Sequence, residues 1–538
     1  MPRVLISDKL EAAGLDLLRE AQIELDERHG LKGAALQEAL RGADAVIVRS
    51  GTTITAELLE DPGKLRAVVR AGVGVDNIDV AAATRRGIVV MNTPGGNTLS
   101  TAEHAVTLLT SLARHIPAAD ASMRAGKWER SKFVGTQLAG KTLGIVGVGR
   151  VGREVARRAV AMDMRVLGLD PFLTPERAAE IGVEKVDDLV ALLPRCDFLT
   201  VHTPGGPETK GLIGPAQIAK VKKGARIVNC ARGGIIDERA LAEALASGHV
   251  AGAAIDVFDP EPPPADNPLR KAPNLILTPH LGASTLEAQD AVAREAAQLL
   301  TDFLTRGVVQ FAVNMAAVDR AELAELRPYI DLARRLGLLH AQMAQGTIRQ
   351  ARLTYRGDVA RRGTKLLTSA FAAGLLEGRL EHVNVVNAQL LARERGIELV
   401  ESSSPKSDDF GSVVHADVVT DKKTYTAAGT LFGNQYLRLV QLGPHRLDAA
   451  PDGVMLIFTH QDRPGLIGHI GTAFGQHGVN IAQMTVGRQQ AGGEAIAVLN
   501  LDSFPSDAAI AEVKKHGQIS SVSVVKLPPA GQMPGWFG

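Results

Sequence analysis

The feature that most constrains this chain is a glycine triplet in a fixed setting. Gly147-Val-Gly149-Arg-Val-Gly152 directly follows the apolar run Thr142–Val146 and opens a helical pattern from Val151. A Gly-x-Gly-x-x-Gly alone is a weak signal. Between a strand and a helix it is a strong one, because the glycines allow a tight turn and close backbone approach. The helix start then offers unpaired N–H groups to a diphosphate. Asp170 ends the next apolar run, 18 residues beyond Gly152. A carboxylate there accepts hydrogen bonds from both ribose hydroxyls and repels a 2′-phosphate. Pro171 and Phe172 follow with no adjacent Arg, so the pattern points to NAD rather than NADP. The competing reading is a glycine-rich turn beside a surface Asp.

Around this motif the chain alternates short apolar runs with helical spacing, the rhythm of parallel βαβ units. Before it, strands are expected at Val4–Ser7, Ala45–Val48 and Ala67–Ala71, and helices at Glu11–Ala21 and Ala56–Glu60. After it, strands are expected at Arg165–Asp170, Phe198–His202, Arg226–Asn229, Gly252–Asp256 and Leu275–Thr278. Two long helices carry capping-box patterns, Ser100 with Glu103 and Ser284 with Glu287.

The pattern changes after Asn314. Residues 320–345, 364–376 and 384–395 read as helices and Ile348–Tyr355 as a strand, and Gly443–Gly453 looks like a linker. Val454–Leu527 reads as a βαββαβ unit, and the Pro/Gly-rich tail Pro528–Gly538 is expected to fray.

The chain has 538 residues, enough for three or four domains at roughly 150 residues each. Apolar residues make up 45% and charged residues 22%, which excludes a disordered chain. The net charge of +1 gives no sign of a nucleic-acid or membrane partner. The N-terminal apolar stretch breaks at Asp8 and Lys9, unlike a signal peptide, and no apolar run reaches transmembrane length. The two cysteines, Cys196 and Cys230, are too few for a disulfide framework. A cytoplasmic location is expected. No metal-ligand spacing occurs, so no metal is expected.

Three polar residues fall after later strands, where open α/β sheets place ligands. They are Arg232 in Asn229-Cys-Ala-Arg-Gly-Gly, Glu261 in Asp259-Pro-Glu-Pro-Pro, and His280 in Thr278-Pro-His-Leu-Gly-Ala-Ser-Thr. Singly, each reads as a surface charge, a turn residue or a packing group. Together beside a dinucleotide motif they suit oxidation of a 2-hydroxy acid. Arg holds a carboxylate bidentately and polarises the developing carbonyl. His takes the hydroxyl proton, and a carboxylate beside it fixes its tautomer so that it can also donate. Cys230 is not read as a nucleophile, since no Cys–His signature accompanies it.

The ordered set Gly147–Gly152, Asp170, Arg232, Glu261 and His280 resembles the D-isomer-specific 2-hydroxyacid dehydrogenase family. Arg70-Ala-Gly-Val-Gly-Val-Asp-Asn, Asn92-Thr-Pro-Gly-Gly-Asn-Thr, Gly126-Lys-Trp-Glu-Arg and Val201-His-Thr-Pro extend the resemblance, most closely to long-form members that act on 3-phospho-D-glycerate. It implies an α/β fold of two doubly wound Rossmann-like domains, followed by an α+β intervening domain and a ferredoxin-like βαββαβ ACT domain. A discontinuous substrate domain (1–95 and 284–313) would enclose an NAD domain (96–283). The intervening domain would span 314–450 and the ACT domain 451–538.

By the same resemblance His280 is the general acid/base, Glu261 its partner and Arg232 the carboxylate anchor. NAD would meet Gly147, Gly149, Arg150, Val151, Gly152, Asp170, Thr203, Cys230, Ala231, Arg232, Asp256, His280 and Gly282, with Asp256 at the nicotinamide carboxamide. Substrate would meet Arg49, Ser50, Arg70, Gly72 and Asn97. Arg130 and Lys132 read as solvated charges. In the ACT domain His460, Asp462 and Asn480 would bind an L-serine effector, and Arg334, Arg335, Arg361 and Arg362 could make a second anion site. The implied activity is NAD-dependent oxidation of 3-phospho-D-glycerate to 3-phosphohydroxypyruvate by a homo-oligomer, a tetramer favoured. The alternatives are a glyoxylate or hydroxypyruvate reductase and a non-catalytic NAD-sensing scaffold.

Overall fold

A computed structural model of the chain describes residues 1–316, 320–406, 409–433 and 435–534. Near the N-terminus five parallel strands lie in the order Glu24–Glu27, Arg3–Ile6, Ala45–Val48, Ala67–Arg70, Val89–Asn92. Strand Ala45–Val48 is buried at every residue, as a parallel strand covered on both faces must be. The long helix Leu286–Arg306 returns across this sheet. Its Val292, Ala293, Ala296 and Leu300 share a core with Val4, Ile6 and Leu18. It approaches helix Ala12–Glu20 so closely that a Cβ on Gly14 would strike the Ala293 carbonyl.

A second parallel sheet follows, in the order Val183–Lys185, Arg165–Leu169, Thr142–Val146, Phe198–Val201, Ala225–Asn229, Val250–Ile255, Leu275–Leu277. The strand order reverses direction between Thr142–Val146 and Phe198–Val201. In doubly wound sheets that switch point opens a crevice at the carboxyl ends of the strands.

The next sheet has six strands, in the order Glu398–Ser404, Ile348–Gly357, Ser412–Thr420, Thr424–Phe432, Tyr436–Leu442, His445–Ala449. The helices packed on it, Arg320–Met343 and Thr364–Glu377, cross at two glycines. A Cβ on Gly337 would meet the Phe371 carbonyl, and one on Gly374 the Arg334 carbonyl. The last unit is βαββαβ, with antiparallel strand order Ile481–Arg488, Glu494–Leu501, Val454–Gln461, Ile519–Lys526. One face of this sheet is covered by its own helices, through Leu456, Phe458, Ile470 and Phe474. The other face, through Met455, Ile457, Val498 and Val525, joins the core of the preceding six-stranded unit.

Several sequence expectations give way here. Helix Thr98–Ala113 starts before Ser100, whose hydroxyl donates to the Gly282 carbonyl (2.8 Å), while Glu103 pairs with Arg158 (2.8 Å). The second helix is capped by Thr285, one residue later than expected, through the Ala288 N–H. The segment expected as a linker holds the edge strand His445–Ala449. In the N-terminal unit four elements went unread: strands Glu24–Glu27 and Val89–Asn92, and helices Gly33–Arg41 and Val80–Arg85.

Three of the four arginines weighed for a second anion site are held in internal pairs. Arg335 is fully buried. It donates to Asp331 Oδ1 (2.8 Å) and to the carbonyls of Pro451 (3.0 Å), Pro528 (2.5 Å) and Pro529 (2.9 Å). Arg334 pairs with Glu377 (2.5 Å), and Arg362 with Glu325. The start of the tail is thus tied down rather than frayed; residues 535–538 lie outside the described residues. Among the described residues no helix is long and apolar enough to cross a membrane.

Candidate active site

Where the strand ends of the two parallel sheets face each other they leave a cleft of about 410 Å³. Val73–Asp76 and Asn92 line it from one sheet; Thr203, Cys230, Arg232, His280 and Gly282 line it from the other. A roomier cavity, about 920 Å³, lies elsewhere, at the seam between the N-terminal sheet and the six-stranded unit, and none of the candidate site residues lines it.

At the mouth of the second sheet the glycine triplet has the geometry that a diphosphate needs. Gly147 is left-handed (φ 91°), and a Cβ there would strike the backbone of His202. A Cβ on Gly152 would strike the Gly147 carbonyl, so this glycine lets helix Arg150–Ala161 pack on its strand. Gly149 is different. A Cβ there meets nothing within 4 Å, and the helix start it forms has no side-chain cap. That open N-terminus and the buried, unpartnered hydroxyl of Thr203 fit a dinucleotide in this groove. Asp170 accepts from the N–H groups of Val148 (2.9 Å) and Phe172 (2.8 Å), which fixes its carboxylate beside the turn. Ala231 is buried and its N–H is held by Asn229 Oδ1 (3.0 Å). The guanidinium of Arg150, the first residue of the helix, stacks over Phe311 at 5.8 Å.

His280 and Glu261 meet directly, Nδ1 to Oε2 at 2.7 Å. Glu261 lies in a loop whose bonds at Asp259–Pro260 and Glu261–Pro262 are cis, and its other oxygen accepts from the Phe258 N–H (2.9 Å). Burial alone would raise the Glu261 pKa. The hydrogen bonds from His280 and Phe258 outweigh it and hold the carboxylate below its usual range. With Nδ1 occupied, Nε2 is the nitrogen left for substrate.

His280 is left-handed at φ 56°, which costs a non-glycine residue about 1–2 kcal/mol. Asp256 holds the chain in that conformation. Its carbonyl accepts from the His280 N–H (2.8 Å), and its fully buried carboxylate accepts from Leu281 N–H (2.8 Å), Gly282 N–H (3.0 Å) and the Thr278 hydroxyl (2.6 Å). His104 Nε2 lies 3.2 Å from the same carboxylate. Burial would raise the Asp256 pKa, but these partners draw it down. Asp256 thus shapes the His280 loop.

Across the cleft stand arginines. Arg70 is half-buried, and burial followed by the nearby Arg232 charge lowers its pKa; Arg49 adds to the lowering, while Asp76 and Asp8 oppose it. A cluster of like charges is costly unless an anion joins it. The Arg49 backbone N–H is held by Asp8 (2.5 Å), and its guanidinium donates to the Lys9 carbonyl (3.3 Å). Ser50 is exposed beside it. Arg232 Nε pairs with Asp76 (3.1 Å) and one terminal nitrogen with its neighbour's carbonyl at Ala231 (2.7 Å). The absent side chain of Gly72 makes room for the Arg70 guanidinium, and that of Gly74 for Arg232. Asn97, at the start of helix Thr98–Ala113, lines the cleft with its amide oxygen buried and unpartnered.

Other polar groups are spoken for. Burial pushes the His202 pKa down to about 4, so its imidazole is neutral at pH 7, bonded to Thr200 (3.0 Å). Burial pushes the Cys230 thiol well up, against any role as a nucleophile. Lys132 pairs with Glu129 (2.5 Å). The sequence held no metal-ligand spacing, yet the fold brings His104, Cys230 and Asp256 together.

In the C-terminal unit His460 is buried, with Nδ1 against the Gln461 carbonyl (2.9 Å). Asp462 binds Arg488 (2.6 Å) and the Gly492 N–H (3.1 Å); Asn480 donates to Asp502 (2.7 Å). Asp462 precedes helix Leu466–Gln476 and Asn480 follows it. Eleven residues at 1.5 Å rise put the two ends about 16 Å apart. Within one chain they do not converge.

Comparison with known proteins agrees with this layout. Residues 106–282 match the family "D-isomer specific 2-hydroxyacid dehydrogenase, NAD binding domain". Residues 325–443 match "D-3-phosphoglycerate dehydrogenase intervening domain", and residues 454–518 the ACT domain. The D-3-phosphoglycerate dehydrogenase of Methanocaldococcus jannaschii is 42% identical over 98% of this chain and 100% of its own length. That of Bacillus subtilis is 43% identical over the same shares. Among solved structures, the NAD-dependent formate dehydrogenase from Staphylococcus aureus in complex with NAD is similar (TM-score 0.53, 31% identity). It covers 59% of this chain and 100% of its own.

Proposed function

The chain belongs to the D-3-phosphoglycerate dehydrogenase family, within the D-isomer-specific 2-hydroxyacid dehydrogenases, and from that premise we propose that it oxidises 3-phospho-D-glycerate to 3-phosphohydroxypyruvate with NAD, the first step of phosphorylated L-serine synthesis. The observation that carries this reading is the pairing of His280 with Glu261 (2.7 Å) opposite the Arg49, Arg70 and Arg232 cluster. A substrate with a carboxylate at one end and a phosphate at the other relieves that cluster.

NAD, when bound, accepts a hydride from C2 of the substrate. The chain does the rest. Arg232 grips the carboxylate and polarises C2–O, while Arg70 and Arg49 neutralise the phosphate. His280 Nε2 takes the hydroxyl proton, and the Glu261 carboxylate stabilises the imidazolium that results. In the reverse reaction His280 returns its proton to the substrate oxygen. Asn97 offers its unpartnered oxygen to a hydroxyl of the bound molecules. Closure of the two parallel-sheet units over the substrate would exclude water.

We place an L-serine effector at the C-terminal unit. A site using both Asp462 and Asn480 needs a second copy to supply the far helix end, which ties the serine response to a homo-oligomer, a tetramer favoured. The two unpaired, buried cysteines suit a reducing compartment such as the cytoplasm.

The test is NADH oxidation with 3-phosphohydroxypyruvate and with unphosphorylated hydroxypyruvate, each with and without serine. Strong preference for the phosphorylated substrate, lost in Arg70→Gln, supports the reading. A charge-assisted hydrogen bond of about 1.5–3 kcal/mol sets the expected rise in KM at roughly 10- to 100-fold, for the phosphorylated substrate alone. Equal rates on both substrates favour a reductase. NADH binding without turnover favours a scaffold.

A further inference from the structure

Behind the cleft wall the fold gathers three side chains for which hydride transfer supplies no common role. Strands Ala225–Asn229 and Val250–Ile255 pair in parallel with Asn229 opposite Ile255. The residues that follow, Cys230 and Asp256, therefore leave the sheet side by side. Helix Thr98–Ala113 crosses their ends and delivers His104. One imidazole nitrogen, one thiol sulfur and one carboxylate oxygen come within 4.8 Å of one another.

We propose that His104, Cys230 and Asp256 form a binding site for a borderline-soft divalent cation of the zinc class, filled in competition with the dinucleotide. The competition rests on the dinucleotide reading of the cleft; the cation site does not.

The donor set decides the class of ion. Nitrogen, sulfur and carboxylate oxygen are the zinc ligands, whereas magnesium and calcium take oxygen alone. Bond lengths of about 2.0–2.3 Å put ligand atoms roughly 3–4 Å apart around one ion, which small side-chain rotations reach from the present spacing. Charge balances as well. A thiolate and a carboxylate neutralise a dication, as a buried site requires.

Asp256 keeps capacity for this. Its Oδ1 is crowded by Thr278, Leu281 and His104, while Oδ2 accepts only the Gly282 N–H among the described contacts. His104 would exchange its 3.2 Å contact with Oδ1 for the ion. Cys230 enters as a thiol, so each ion bound through its sulfur releases one proton to solvent. Cys230 also lines the cleft, which leaves a fourth coordination position open to water.

The same geometry explains the competition. Cys230, Thr203 and Gly282 share the cleft wall assigned to the cofactor. An ion on Oδ2 also draws Asp256 from the Gly282 N–H, one of the bonds that hold His280 left-handed.

The experiment titrates the chelator-treated full-length protein with Co²⁺. A near-ultraviolet thiolate-to-cobalt band should saturate at one ion per chain, yield to Zn²⁺ and fade as NADH is added. Cys230→Ser should abolish the band. His104→Gln, a change at a partly exposed side chain, should weaken Co²⁺ binding at least about tenfold, the scale of a disturbed coordination sphere. Far-ultraviolet dichroism checks that both variants fold. No band in the native protein overturns the proposal. So does a band that survives Cys230→Ser or ignores His104→Gln. NADH that binds, by its own fluorescence, yet leaves the band unchanged overturns the competition. NADH that does not bind defeats the dinucleotide reading instead and leaves the cobalt result to stand on its own.

Discussion

The cleft draws His280, Glu261, Arg232 and Arg70 from the ends of separate strands and sets them face to face within one chain, whereas the C-terminal unit leaves Asp462 and Asn480 at opposite ends of one helix. The difference is topological. In a parallel sheet every strand points its carboxyl end to the same edge, so residues far apart in sequence arrive together. In the antiparallel βαββαβ unit the loops alternate between two edges, and neighbours in sequence are carried apart. A cleft of the first kind is complete in one copy. A site of the second kind waits for another.

The sharpest way to break this contrast is to remove the group that the cleft is built around. His280→Asn should lower kcat by about 10²- to 10⁴-fold, the usual worth of a positioned acid/base. NADH binding, followed by fluorescence, should change far less. A variant that still turns over within tenfold of the native rate would mean that proton transfer lies elsewhere and that the cleft is not the finished site it resembles.

The C-terminal end invites the opposite perturbation, one of stability. Arg335 pairs with Asp331 on its own helix, Arg320–Met343, and ties that helix to the chain at Pro451 and to the final strand's exit at Pro528 and Pro529. Arg335→Met leaves the Asp331 carboxylate buried without its cation, at a cost of about 3–5 kcal/mol. Denaturation should show the C-terminal half unfolding at lower urea, before the parallel-sheet units. A single unshifted transition would deny Arg335 its role as the staple.

What the sequence disclosed follows the same division. The glycine triplet, Asp170 and the strand rhythm were legible because turn chemistry and periodicity act over a few residues. Ser100 and Glu103 misled for the complementary reason. They satisfy a local capping pattern, but tertiary partners took them, the Gly282 carbonyl for one and Arg158 for the other. The strand His445–Ala449 hid behind prolines and glycines because its stability comes from the strand beside it and from Ile481–Arg488, where Thr485 donates to the Asp448 carbonyl (2.5 Å). Arg335 looked like one member of an anion site beside Arg334. Only the packing of three chain segments around it gives a buried guanidinium its acceptors. The part Asp256 plays was hidden too, since nothing in its neighbourhood announces the His280 loop it holds.

The finest test of the cleft as a finished site is its response to acid. Glu261 has its pKa lowered because the hydrogen bonds from His280 and the Phe258 N–H outweigh the opposing effect of burial. A depressed carboxylate contributes stability that is fully present above its unfolded pKa, near 4.3, and is lost as pH falls through its folded value. The His280 loop should therefore stay ordered through mildly acidic pH and slacken only below the ordinary carboxylate range. In Glu261→Gln that titration is gone. The amide can still accept from one imidazole nitrogen, but it brings no charge to set against the imidazolium formed in turnover. The expected outcome is a loss of about tenfold or more in NADH-dependent reduction at neutral pH, where His280 must carry the proton it donates. The fall in activity that protonation of Glu261 brings to the native protein at acidic pH should be absent from the variant. A pH profile identical in shape to that of the native protein would show that ionisation of Glu261 does not govern what the 2.7 Å contact contributes.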